Sequence, residues 1–103
     1  MNVKLTIKAI EALTLTFEGQ SEVDRLKTYS TIQTLLGEMK NHIKSKEESG
    51  NHIKHADMYI VEMESPLRCI AGLDNLGHQE SVNRTWILTG LQKLSSKTCF
   101  NVG

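Results

Sequence analysis

A mainly α-helical domain of four helices, arranged as two helical hairpins with a short N-terminal strand, is the fold this sequence predicts. Three observations lead there: apolar residues return every third or fourth position over most of the chain, a polar stretch divides it near the middle, and its halves echo one another. The alternative is an α+β domain of ββα-ββα order, which rests on two short apolar runs that read equally well as strands.

The first twenty residues support both readings. Val3, Leu5 and Ile7 alternate as in a strand, whereas Ile7, Ile10, Leu13 and Phe17 recur as on a helix. The reading adopted is a strand or extended arm over residues 2–6, then a helix over about 7–18 that stops at Gly19. Leu13, Leu15 and Phe17, alternating with Thr14, Thr16 and Glu18, define the hairpin alternative.

The second helix is the clearest. Ser21 places a hydroxyl before the first turn and Asp24 an acid three residues on, approximating a capping box. From there Val23, Leu26, Tyr29, Ile32, Leu36, Met39 and Ile43 form one stripe to about residue 46. Gly37 interrupts this helix at a cost of about 1 kcal/mol relative to alanine, which implies tertiary packing. The stretch SKEESGNH, residues 45–52, holds no apolar side chain and reads as a turn.

Beyond the turn, Ala56, Ile60, Met63, Leu67 and Ile70 keep a spacing of four, three, four, three, the seam of a packed helix. Pro66 predicts a kink, or a break with Ser65 capping a new helix. Residues 58–61, with Tyr59, Ile60 and Val61 in succession, are the competing strand. After Gly77 a last helix over about 79–95 shows Val82, Trp86 or Ile87, Leu91 and Leu94 on one face. Phe100, in the tail, is expected to fold back onto the body. The echo pairs IKAIEA with IVEMES, EVDR with SVNR, and IQTL with LQKL, so each half reads as one helical hairpin.

A chain of 103 residues fits a single domain over residues 1–103. Twelve basic and twelve acidic side chains cancel, so charge draws the protein neither to nucleic acid nor to a membrane surface. The same neutrality offers little repulsion between copies, and a homodimer is expected. Cys69 and Cys99 lack the spacing of a metal knuckle or redox pair, and Cys69 reads as a small packing residue. With no continuous apolar run at the N-terminus, a cytoplasmic protein is expected.

Candidate chemistry is sparse. His42, His52 and His55 lie close in sequence, and with Asp57 or Glu62 they form the alternative reading, a metal-binding protein or metal-dependent enzyme. No HExxH, CxxC, GxSxG or phosphate-binding glycine pattern accompanies them, and NHIKHAD reads more simply as a solvated helix start. Lys40, Lys44, Lys46 and Lys54 are interspersed with Glu38, Glu47 and Glu48, as on a solvated face. Arg84 and Trp86 are residue types enriched where proteins meet. The leading expectation is therefore a small non-enzymatic interaction protein, a regulator or inhibitor that occupies a partner's surface. Trp86, Arg84, Tyr59 and Met58 are its candidate anchors, with no cofactor or metal assigned.

Overall fold

The computed structural model describes residues 2–48 and 56–96. Its elements are α1 (Val3–Thr16), α2 (Glu22–Glu48), α3 (Ala56–Ile70) and α4 (Glu80–Ser95). The helices pack α1 on α2, α2 on α3, α3 on α4 and α4 on α1, so the four close a ring with no close backbone approach across either diagonal among the described residues. Contacts between opposite ends fix the directions. Arg25, early in α2, meets Ile70 at the end of α3, and Lys93, late in α4, lies over Tyr59, early in α3. Neighbours therefore run antiparallel, as in an up-and-down bundle of two hairpins.

The N-terminal strand is not formed. Helix α1 begins at Val3, with Asn2 as cap accepting a hydrogen bond from the Leu5 N–H at 3.2 Å. Alternation misled because Leu5 is exposed, while Val3, Ile7, Ile10, Thr14 and Phe17 are buried at four-three-four-three spacing. Thr14 enters the core by donating its hydroxyl to the Ile10 carbonyl at 2.7 Å, which satisfies the polar group inside its own helix. The helix ends at Thr16, and Gly19 supplies the left-handed turn (φ 80°) that leads into α2.

Ser21 caps α2 as its sequence suggested, its hydroxyl accepting from the Asp24 N–H at 3.2 Å. The expected stripe is right from Ile32 onward: Ile32, Leu36, Met39 and Ile43 are buried. Its beginning differs, because Val23 and Leu26 are exposed and Arg25 and Thr28 turn inward instead. The first turns of α2 face a polar end of the bundle, described below.

Helix α3 runs unbroken through Pro66, which is buried within it, so neither the strand over residues 58–61 nor a second helix capped by Ser65 forms. Every residue of the expected seam, Ala56, Ile60, Met63, Leu67 and Ile70, is buried. The helix closes at Gly72 (φ 86°) with the paired bonds of a Schellman motif, Leu73 N–H to the Arg68 carbonyl at 2.9 Å and Gly72 N–H to the Cys69 carbonyl at 3.1 Å. In α4 the buried face is Asn83, Ile87, Leu91 and Leu94; Val82 is half-buried and Trp86 lies outside it. Spacing alone left Trp86 and Ile87 tied for one position, and Ile87 takes it. Among the described residues no helix is long and apolar enough to cross a membrane.

Candidate functional site

Two neighbouring regions differ in how they treat polar and aromatic groups: the groove between α3 and α4, and the end of the bundle where α2 and α4 begin.

The groove follows from one small residue. A side chain at Gly90 of α4 would meet Met63 of α3 at 2.7 Å from Cγ and 2.8 Å from Sδ, so glycine lets the two helices approach and leaves a furrow floored by Met63. The furrow encloses about 150 Å³. Because the helices are antiparallel, its walls pair by level: Tyr59 with Lys93, Met63 with Gly90, Pro66 with Trp86, and Glu62 and Thr89 line it between these ends. Each aromatic ring is held by a neighbour. The Lys93 ammonium sits 5.5 Å from the Tyr59 ring centroid, and His78 meets Trp86 edge-on at 4.8 Å. Trp86 nevertheless keeps 46% of its surface exposed.

At the other region, Arg25 ties three elements together. Its guanidinium donates to the Ile70 carbonyl at the end of α3 (2.8 Å) and to the Gln20 carbonyl in the α1–α2 turn (3.2 Å), and it pairs with Glu80 in the first turn of α4. Glu80 also accepts from Arg84 at 2.8 Å. Burial works against the charged Glu80 carboxylate, but hydrogen bonding and charge from Arg25, followed by Arg84, outweigh it and hold the group below its usual range. The two arginines occupy equivalent places in EVDR and SVNR, so the echo noted in the sequence converges physically on one carboxylate. Asn83, beside this cluster, is buried with its Oδ1 lacking a hydrogen-bond partner among the described residues.

The residues singled out from sequence thus divide. Tyr59 and Trp86 both line the groove, at its opposite ends, whereas Met58 is exposed on α3 and is not among the residues that line it. Arg84 does not join them: two residues from Trp86 on a helix, it points about 200° away and pairs with Glu80. His42 is half-buried on α2, while His52 and His55 lie outside the described residues, as do Lys54, Cys99 and Phe100. Among the described residues no group of three histidine, cysteine or acidic side chains is placed to hold a metal ion. Lys40 pairs with Glu64 across α2 and α3 at 3.0 Å, and Cys69 is half-buried. Sequence reasoning weighed Met63 and Pro66 only for packing and helix geometry and passed over Gly90, although an isolated glycine in a helical pattern can have a packing reason. Arg25 carried no such signal, because its partners come from other parts of the chain.

Two further recesses are lined by Lys4, Ile7, Lys8, Glu11 and Ser95, and by Glu22, Leu26, Ala71, Gly72 and Leu73. Neither carries an aromatic ring.

Fold and face together define the class: an up-and-down four-helix domain with an aromatic-lined groove between its third and fourth helices. No family model matches the chain, and no match is found among curated proteins or among solved structures.

Proposed function

We propose that this chain is a non-enzymatic interaction protein of the cytoplasm, a regulator or inhibitor that binds another protein through the α3–α4 face. The observation that carries the reading is Trp86, nearly half exposed yet fixed edge-on by His78 at the mouth of a groove. Large aromatic side chains that lose little freedom on binding supply much of the energy of protein interfaces, and truncating such an anchor commonly costs 2 kcal/mol or more of affinity. Tyr59 at the other end of the groove and the exposed Met58 on the same helix add apolar surface to this face, while Glu62 and Lys93 provide the polar rim that surrounds such anchors. Arg84 serves the fold in this reading, through its pair with Glu80.

The test is a comparison of immobilised wild-type chain with its Trp86→Ala variant in native extract, with the retained proteins identified. A partner held in near-stoichiometric amount by the wild type and reduced at least tenfold by Trp86→Ala is the expected result. Equal retention of every protein by both would remove this face from the function.

A further inference from the structure

We infer that the α3–α4 groove receives an arginine side chain of the partner protein, with its guanidinium against the Trp86 indole and its N–H groups on the Glu62 carboxylate. The inference rests on the reading of this face as a protein-binding surface and names the chemistry that it recognises.

Size limits the occupant first. The furrow encloses about 150 Å³, and a cavity of about that volume holds a single benzene-sized group. One planar side-chain head fits, whereas a whole helix or strand does not. The floor contributes little to recognition, because Met63 and Pro66 are buried by the chain itself. What stays open to an incoming side chain is Trp86 on the α4 wall and Glu62 on the α3 wall, both exposed, with the half-buried Tyr59 at one end.

Charge then gives the sign. Most charged side chains of α3 and α4 are already paired: Glu64 with Lys40, Arg68 with Asp74, and Glu80 with Arg25 and Arg84. Asp57 and Glu62 have no ion-pair partner among the described residues, and the remaining base, Lys93, is turned to the Tyr59 ring. Two unpaired acids against one base leave this face short of positive charge. At its Tyr59 end the furrow already holds a cation over an aromatic ring, the Lys93 ammonium of the chain itself. Trp86, seven residues from Lys93 and so about 10 Å along the helix, lies beyond a Debye length of about 8 Å at physiological salt. Lys93 therefore does not close that end to a second cation.

Among cations the planar one suits this furrow best. A guanidinium is weakly hydrated, stacks on an aromatic face and donates in its own plane to a carboxylate, so it meets both walls at once. An ammonium is a compact, strongly hydrated charge that gives up more water to enter and stacks on neither ring.

The probe is N-acetyl-arginine amide, titrated into the isotopically labelled chain beside N-acetyl-lysine amide and the uncharged isostere N-acetyl-citrulline amide. Binding is read at the Trp86 indole N–H and the Gly90 backbone N–H by nuclear magnetic resonance. Saturable shifts at both positions are expected with the arginine amide, in the millimolar range. Affinity is expected to fall at least twofold for the lysine amide and at least fivefold for the citrulline amide, a comparison that leaves the protein unaltered. Glu62→Gln is expected to weaken the arginine amide at least threefold, and Trp86→Ala, followed at Gly90, at least fivefold. Circular dichroism and unfolding midpoints like those of the wild type establish that both variants are folded. A wild type without saturable shifts overturns the inference, as does a lysine or citrulline amide that binds as tightly as the arginine amide. Either variant binding the arginine amide as tightly as the wild type overturns it too. None of these outcomes removes the face from protein binding in general, which the Trp86→Ala capture comparison decides separately.

Discussion

The two ends of α4 use their side chains in opposite ways. At its beginning, Arg25 and Arg84 both pair with Glu80 and Arg25 also meets two backbone carbonyls, so the charges there are matched within the chain, while Asn83 Oδ1 and Arg84 Nε are buried without a hydrogen-bond partner among the described residues. Farther along, the groove beside Trp86 holds oriented rings, an acid and a base that open outward. In the proposed function, the difference separates what holds this fold together from what it offers to another surface. Removing a group at the first region should cost stability; removing one at the second should cost association.

The largest expected effect is that of Arg25→Ala, which orphans the Ile70 carbonyl and leaves Glu80 with Arg84 alone. Hydrogen bonds to charged groups contribute about 1.5–3 kcal/mol each, and the side chain is mostly buried, so a loss of about 2–4 kcal/mol in urea unfolding is expected. A loss below about 0.5 kcal/mol would mean that the cluster decorates the end of the bundle and does not tie it.

Next come two glycines that sequence alone treats alike. Gly90→Ala brings a methyl group against Met63 and is expected to destabilise by about 1–2 kcal/mol despite better helix propensity. Gly37→Ala meets nothing within 4 Å and is expected to stabilise by about 0.5–1 kcal/mol. Opposite signs in thermal unfolding sharpen the contrast between a close helix contact and an open helix face. A stabilising Gly90→Ala would show that the groove is not set by this contact.

The smallest effect is one of pH. Glu80 ionises more readily in the folded chain than its usual value of 4.5, so its contribution to stability is whole above that value and fades as pH falls through the lower folded value. Glu80→Gln should therefore start less stable at neutral pH and lose less below about pH 4.5, so that the two curves converge in acid. Parallel curves would contradict the role given to Arg25 and Arg84.

Most of the fold was legible because burial imposes a helical period. Ala56, Ile60, Met63, Leu67 and Ile70 could be read as a seam, and all are buried. Reading failed where one residue broke a tie or another part of the chain intervened. Leu5 made α1 resemble a strand, although Val3 and Ile7 are also one helical turn apart. Val23 and Leu26 fit the α2 stripe by spacing, but Arg25 is drawn inward by Ile70 and Glu80, which lie at least 45 residues away, and rotates them outward. For the candidate site, composition pointed to Trp86 and Tyr59, yet only the antiparallel pairing of α3 and α4 put them in one groove. The same geometry separated Arg84 from Trp86, which sequence proximity had joined.

Trp86 is the single tryptophan, so its emission reports directly on the face at issue. Spectra and acrylamide quenching should be recorded across a titration, in constant buffer, with the protein that the wild-type chain retains. The account predicts that emission moves to shorter wavelength and quenching falls as that protein is added. Emission and quenching that stay unchanged over the whole titration would contradict it.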